Sequence, residues 1–164
     1  MKRLVTLVLA VLALTGTGAA RAEVATPNAY RAAATQVVQA FFDAMHAGDT
    51  ATIARLVLPG TQLNLTVAGA PGAALTRKDV EAFIGQVKAA PAPYLERMWS
   101  PTVLVDGAMA VVWTRYDFHR GASFSHNGRD CFVLLKGADG WRIVSLDFTV
   151  EPGGVNENPA GSPR

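Results

Sequence analysis

The stretch Ala110–Phe132, AVVWTRYDFHRGASFSHNGRDCF, contains two runs of alternating apolar and polar residues with a glycine between them. Alternation with a period of two is typical of β-strands. A two-residue turn at Arg120-Gly121 or Gly121-Ala122 would join the two runs into an antiparallel hairpin. The same stretch holds two histidines and two aspartates. It therefore decides both the fold class and the place where a site is expected.

Helices are predicted ahead of this hairpin. Thr26 and Pro27 supply a hydroxyl cap and a first-turn proline, and the apolar residues that follow recur at helical spacing as far as Ala47. The other elements predicted before residue 94 are a short second helix from Asp49 or Thr50 to Pro59-Gly60, a strand over 61–67, and a third helix from a Thr76 cap to Pro91.

From Tyr94 onward the pattern predicts four strands, with turns at Asp106-Gly107, at residues 120–122 and at Asp139-Gly140. Helices segregated ahead of an antiparallel sheet are typical of an α+β domain. We expect a curved antiparallel sheet wrapped around the long N-terminal helix, with two further helices. Such a wrap leaves a pocket between the first helix and the sheet.

The two ends of the chain have their own compositions. Residues 1–22 carry Lys2 and Arg3, then an apolar run, then Ala20-Arg21-Ala22, which together favour a cleaved signal peptide over a membrane anchor. We therefore expect a periplasmic or secreted protein without a membrane span after cleavage. The predicted domain covers 26–152. Residues 153–164 are rich in glycine, proline and asparagine, which predicts a disordered tail.

Charge and cysteine content narrow the classes of function. Cleavage after Ala22 would remove three of the 15 basic residues and none of the 13 acidic ones, which leaves a net charge of −1. No basic stripe then remains to neutralise phosphates, so a nucleic-acid partner is not expected. The chain has one cysteine, Cys131, so an internal disulfide is excluded and the thiol is expected to act as a small core residue.

Strand parity groups the candidate ligand-binding residues. Across a two-residue turn, odd-numbered residues of the first strand lie on the same face as even-numbered residues of the second. A similar turn near Asp139 extends this face to the last strand. The face combines aromatic and polar side chains, as small-molecule sites do: Trp113, Arg115, Asp117, His126, Asp130, Ser145 and Asp147.

His126 is the candidate acid or base, since an unperturbed histidine titrates near neutrality. Asp117 or Asp130 would orient its ring, and Arg115 would hold an anionic substrate. The competing interpretation is that hairpin histidines and aspartates are solvated or serve the turn, and it is stronger for His119 beside the turn. The spacing of Asp117, His126 and Asp130 matches no known metal-ligand motif, so neither a metal nor a cofactor is expected.

Four segments resemble the nuclear transport factor 2-like superfamily, and within it small exported proteins described as lumazine-binding-like or polyketide-cyclase-like. They are Ala110–Phe118 (AVVWTRYDF), Phe124–Gly128 (FSHNG), Asp130–Phe132 (DCF) and Gly140–Ile143 (GWRI). The resemblance runs from about Thr35 to Pro152. Asn127 stands where members of the subgroup often carry cysteine, so no thiol role is transferred.

The resemblance implies a cone-shaped, cystatin-like α+β fold, a pocket, and pairing of sheets in a homodimer, but no single reaction. Three functions therefore stay open. The first is an exported small-molecule-binding domain with an unknown ligand. The second is a cofactor-independent isomerase, dehydratase or cyclase that uses His126 with a carboxylate. The third is a dimeric interaction module of the cell envelope, using the apolar face that contains Val133, Leu135, Val144, Leu146 and Phe148.

Overall fold

The computed structural model describes residues 26–68 and 75–163. The predicted signal peptide, 1–22, lies outside the described residues. No helix within the described ranges is both long enough and apolar enough to cross a membrane.

The first helix, α1 (Pro27–Ala47), has the predicted bounds. The Ala29 amide donates to Thr26 Oγ1 at 3.3 Å, and proline occupies the first turn. Gly48 ends the helix in the left-handed conformation (φ 67°), which glycine adopts without steric cost. One face of α1 is buried in the core: Ala34, Val38, Phe41, Phe42, Ala44 and Met45.

Two shorter helices follow, α2 (Thr50–Leu56) and α3 (Val80–Ala89). The prediction that the third helix begins at a Thr76 cap is wrong. Thr76–Asp79 instead forms a short strand that pairs antiparallel with residues 62–65. Side-chain hydrogen bonds hold this pairing, from Gln62 Nε2 to Asp79 Oδ1 at 2.7 Å and from Arg77 Nε to Asn64 Oδ1 at 3.1 Å. These cross-strand contacts override the local helix signal.

The sheet has six strands in the order β2-β1-β6-β5-β4-β3. Their bounds are β1 Val57–Val67, β2 Thr76–Asp79, β3 Tyr94–Asp106, β4 Met109–Arg120, β5 Ser123–Gly137 and β6 Gly140–Pro152. The sheet is mixed rather than wholly antiparallel, because β1 runs parallel to β6. The predicted α+β class and cystatin-like arrangement are confirmed.

The core lies between α1 and the concave face of the sheet. Phe132 of β5 meets two rings of α1 edge-on, with centroid distances of 6.0 Å to Phe41 and 5.6 Å to Phe42. Trp141 of β6 packs in the same way against Tyr30, at 5.7 Å. Burial of each large apolar side chain contributes about 1.5–3 kcal/mol. These contacts seat α1 across the sheet.

Gly128 permits a close approach of the Tyr116 ring to β5 and β6. Tyr116, its partner on β4, lies across it and donates its hydroxyl to the Thr149 carbonyl oxygen of β6 at 2.8 Å. A Cβ at residue 128 would overlap that oxygen and lie 2.5 Å from Tyr116 Cε1. Only glycine leaves room for this ring, and the ring forms part of the pocket described below.

Residues 153–163, the C-terminal strap, are not the free tail that the composition predicts. Asn158 is buried and donates from Nδ2 to Asp117 Oδ1 at 2.9 Å. Asn127 Nδ2 donates to the Val155 carbonyl at 2.9 Å, and Arg97 donates to the Gly161 carbonyl at 2.7 Å. The strap therefore lies along the outer face of β3, β4 and β5, because polar side chains there satisfy its backbone.

We expect Gly128→Ala to destabilise the fold by about 3 kcal/mol or more, because the added methyl group displaces the Tyr116 ring and the Thr149 carbonyl together. Gly137→Ala, on the same strand with nothing near its Cβ, should change the free energy of unfolding by about 0.5 kcal/mol or less. Urea unfolding of both variants measures the difference. Equal effects would show that Gly128 tolerates a side chain.

Candidate functional site

A cavity of about 190 Å³ lies between α1, α3 and the concave face of the sheet. Most of its wall is apolar, with Phe41 and Met45 from α1, Phe83 from α3, and residues from four strands. The apolar strand residues are Leu63, Tyr94, Phe118, Leu146, Phe148 and Val150. The polar lining is sparse: Lys78, Gln86, Glu96, Tyr116, Arg120, His126 and Asp130. An apolar cavity with few polar groups is typical of a small-molecule site.

Two carboxyl groups, Glu96 of β3 and Asp130 of β5, meet at this cavity within hydrogen-bonding reach of each other. Asp130 is 1% exposed, and its Oδ2 atom is enclosed with no conventional donor among the described residues. An enclosed carboxyl oxygen needs a donor, and the neighbouring carboxyl group supplies one only if it carries a proton. The geometry therefore indicates a pair that shares a proton.

Both carboxyl groups are easier to protonate than usual. Burial raises the pKa of Asp130 to about 8, against the opposing effect of its hydrogen bond with Glu96. Burial, and then the negative charge of Asp130, raise the pKa of Glu96 well above its ordinary value. At neutral pH the pair thus retains at least one proton. Such a pair can donate a hydrogen bond to a ligand, accept one, or pass a proton.

Tyr116 and His126 border the pair in different ways. The Tyr116 hydroxyl is committed to the Thr149 carbonyl, and burial raises its pKa. Burial, followed by the nearby charge of Arg120, lowers the pKa of His126 to about 4, so its ring is neutral at physiological pH. The ring stacks on Phe118 at 5.1 Å, and Nδ1 lies 3.0 Å from Ser125 Oγ.

The mouth of the cavity is basic. Its more exposed lining residues are Gln86 of α3, Arg120 at the end of β4, and the half-buried Lys78 of β2. Lys78 Nζ donates to Gln86 Oε1 at 2.8 Å. The two cations come from strands far apart in the sheet order, and both line this one cavity.

The structure divides the predicted candidate residues between two faces. His126 and Asp130 line the cavity, as proposed from the sequence. The other five do not line it: Trp113, Arg115, Asp117, Ser145 and Asp147. Paired residues share a face, and these five pair with one another or with residues of the outer face, such as Trp113 with Cys131 and Cys131 with Asp147. The predicted single site is therefore wrong in its grouping.

Two β-bulges cause the error. The turn is the predicted two-residue turn, since Arg120 pairs with Ser123, but Phe118 pairs with His126 and leaves Ser125 as an extra residue. One extra residue reverses which side chains share a face. A second shift, between Val133 and Leu134, leaves Val144 extra on β6. It turns Leu146 and Phe148, predicted for a dimer surface, into the cavity.

Asp117 is a structural anchor on the outer face. It is fully buried, accepts hydrogen bonds from Arg97 and Asn158, and its Oδ2 lies 2.7 Å from His119 Nε2. Although burial acts to raise the pKa of Asp117, the hydrogen bonds from Arg97, Asn158 and His119 outweigh it and lower the pKa. His119, expected to be solvated, is buried by this contact. Asp117 therefore does not orient His126.

The remaining outer candidates have partners of their own. Arg115 pairs with Glu157 of the strap, and its guanidinium lies 5.4 Å from the Trp99 ring centroid. Asp147 accepts from Asn64 Nδ2 at 2.6 Å and from Ser145 Oγ at 3.1 Å. Trp113 is half-exposed. Within residues 26–68 and 75–163, no group of three or more His, Cys, Asp or Glu side chains is placed to hold a metal ion.

Sequence reasoning did not identify Glu96 as a site residue. The segment Tyr94–Met98, YLERM, does carry a usable signal. Alternation puts Glu96 on the same face as Tyr94 and Met98, which both pack against the core. A carboxylate between two core positions indicates either a buried partner or a site.

Comparisons with known proteins identify the family and the fold. Residues 29–149 match the family described as "Putative lumazine-binding". An NTF2-like protein from Silicibacter pomeroyi is 22% identical, over 77% of this chain and 100% of its own, with a TM-score of 0.58. An NTF2-like protein from Shewanella baltica is 16% identical, over 79% of this chain and 99% of its own, with a TM-score of 0.60. An NTF2-like protein with a cystatin-like fold from Novosphingobium aromaticivorans is 15% identical, over 80% of this chain and 85% of its own, with a TM-score of 0.56. No curated protein matches significantly.

These matches confirm the superfamily inferred from the four sequence segments. At such identities the solved structures establish the fold alone. The assignment of the site therefore rests on the cavity and on the side chains that line it.

We expect the stability of the fold to decrease as the pH rises from about 6.5 to 8. Asp130 has a folded pKa of about 8 against an ordinary 3.8, so its contribution is complete at low pH and is lost as the pH rises through 8. His126, with a folded pKa of about 4 against 6.5, acts in the opposite sense between those values. The two oppose each other up to about pH 6.5. Above it, the carboxyl pair lowers the stability by up to about 1.4 kcal/mol per pH unit for each proton that only the folded state retains.

Urea unfolding between pH 5 and pH 8.5 tests this expectation. The double variant Glu96→Gln/Asp130→Asn removes both carboxyl groups of the pair, so its stability should no longer decrease with pH above 6.5. Asp139→Asn changes an exposed aspartate in the β5–β6 turn and should keep this decrease. A slope that survives in the double variant would assign the pH dependence to other groups.

Proposed function

The chain belongs to the lumazine-binding-like branch of the nuclear transport factor 2-like superfamily, and we propose that it binds a small, largely apolar organic molecule in the cavity between α1, α3 and the sheet. One observation carries the proposal: a proton-sharing carboxyl pair, Glu96 and Asp130, lies at a cavity whose wall is mostly apolar. Buried carboxyl groups cost stability, and apolar residues of similar volume would not. Groups that cost stability in a cleft are typical of functional sites.

The cavity sets the size of the ligand. An apolar cavity of about 150 Å³ can hold benzene, and sites for drug-sized ligands begin near 300 Å³. At about 190 Å³ this cavity fits one substituted aromatic ring or a compact bicycle. The rings of Phe41 and Phe83, stacked with their centroids 5.8 Å apart, both line the cavity and offer aromatic contacts to such a ligand.

The same carboxyl pair fits the alternative of a proton-transfer enzyme. Glu96 and Asp130 would hold the acid and base roles that the sequence assigned to His126 with a carboxylate. Binding remains the proposed function because no reacting bond is implied by the lining residues. A catalyst would also bind its substrate in this cavity, so the binding experiment below applies to both.

Gln86→Trp tests the position of the site. Gln86 is exposed on α3 and borders the mouth, so a tryptophan there should obstruct entry with little effect on folding. We expect the affinity for small aromatic compounds, found by thermal shift and measured by calorimetry, to fall about tenfold or more, which is about 1.4 kcal/mol.

Gln36→Trp is the matched control, because Gln36 is exposed on α1 and does not line the cavity. Its affinities should equal those of the unmodified chain. If no small aromatic compound bound, or if both tryptophan variants bound equally well, the proposed function would be wrong.

We also propose that two copies pair through the outer face of the sheet. Register places an apolar patch there across β3, β4 and β5: Leu104, Met109, Val111, Trp113, Cys131, Val133 and Leu135. Leu104 is 63% exposed and Trp113 is 49% exposed in the single chain. A second copy would remove this surface from water.

We expect Trp113→Glu to convert the dimer to a monomer without unfolding it, since Trp113 is half-exposed and lies within the patch. Sedimentation velocity at micromolar concentration gives the oligomeric state. Gln36→Glu, which adds the same charge at an exposed position of α1 away from the outer face of the sheet, is the control. An unmodified chain that sediments as a monomer would contradict the pairing.

We further propose that the chain is exported and cleaved after Ala22, on the signal-like composition of residues 1–22. The intact mass of the protein recovered from a periplasmic or culture fraction measures this. A mass that still includes residues 1–22 would contradict it.

A further inference from the structure

The cavity has two chemically different ends. Inside are Glu96 and Asp130, which share a proton. At the mouth are Lys78 and Arg120, which form no ion pair among the described residues. A ligand that fills the cavity meets both ends.

The inner end excludes an anion. A ligand carboxylate there would lose its hydration in a poorly solvated space, and any negative charge on the carboxyl pair would repel it. An uncharged group with a donor beside an acceptor, such as a carboxamide or lactam, suits a carboxyl group better. The protonated carboxyl donates to its carbonyl oxygen and accepts from its N–H.

The mouth excludes a cation and favours an anion. Lys78 donates only to the neutral Gln86 Oε1, and an ammonium group has three donors, so two remain for a ligand. Arg120 is exposed, with a guanidinium able to bind a carboxylate through two parallel hydrogen bonds. The only acidic side chains among the lining residues are the inner pair, so these two cations set the charge that an entering ligand meets.

We propose that the ligand is a small aromatic or similarly flat molecule bearing an uncharged amide-type group, which Glu96 and Asp130 bind at the inner end, and an anionic group, which Lys78 and Arg120 bind at the mouth. This inference rests on the proposed function. It adds the polarity of the ligand and its orientation in the cavity.

A matched set of para-substituted benzenes tests the proposal by calorimetry at pH 7 on the full domain. 4-Carbamoylbenzoate carries both groups. Terephthalate replaces the amide with a second anion, and terephthalamide replaces the anion with a second amide. 4-(Aminomethyl)benzoate places a cation at the inner end. p-Xylene keeps the para-substituted ring but has no polar group. We expect 4-carbamoylbenzoate to bind about tenfold more tightly than each of the others.

Variants of the lining residues test which end of the cavity binds the amide and which binds the anionic group. Lys78→Gln/Arg120→Gln should weaken 4-carbamoylbenzoate to the affinity of terephthalamide and leave terephthalamide unchanged. Lys88→Gln, at an exposed lysine of α3 that does not line the cavity, should alter neither. Glu96→Leu/Asp130→Leu should weaken both amides and spare p-xylene, which would show that the cavity persists.

The outcomes separate the two proposals. If p-xylene binds as tightly as 4-carbamoylbenzoate, or if terephthalate or the amine binds more tightly, the polarity assigned here is wrong and the binding function stands. If the variants leave the ranking unchanged, the orientation is wrong. If no compound of the set binds, and no other small aromatic compound does, the proposed function fails together with this inference.

Discussion

The hydrogen bond from Tyr116 to the Thr149 carbonyl, made across Gly128, is the contact on which the pocket depends. It ties β4 to β6 over the intervening strand β5, at the place where β5 has no side chain. Tyr116 thereby lies against the sheet and lines the cavity without filling it. A side chain at residue 128 would displace the Tyr116 ring from this position, so the shape of the cavity depends on Gly128.

Separation of the two faces follows from the bulge at Ser125. Because of that extra residue, His126 and Asp130 face the cavity, whereas Asp117 and His119 face the strap. The outer cluster has its polar groups largely satisfied by Arg97 and Asn158 and so contributes to order, although His119 Nδ1 lacks a partner among the described residues. In the inner pair, Glu96 and Asp130 form a hydrogen bond with each other, and Asp130 Oδ2 has no conventional donor among the described residues. A similar set of residue types therefore forms a structural network on one face and a candidate site on the other.

Sequence reasoning reached the fold because the signals for it are local. Thr26, Pro27 and Gly48 fix α1, and alternation with glycine turns fixes β4 to β6. It failed at the site because a bulge has no signature in the alternation: Ser125 reads as an ordinary strand residue until its partners are known. Glu96 was overlooked for a related reason, since its partner Asp130 lies 34 residues away and on another strand.

The fold tolerates the cavity because the core beside it is tightly packed. A cluster of three rings holds α1 on the sheet: Phe132, Phe41 and Phe42. Phe41 also stacks against Phe83 of α3, and both of these rings line the cavity. Helix α1 thus stabilises the fold and bounds the site. A carboxyl pair at that boundary loses solvation because the rings exclude water, and loss of solvation is what retains its proton. Packing of the ring cluster beside the cavity therefore sets the chemistry that is available in it.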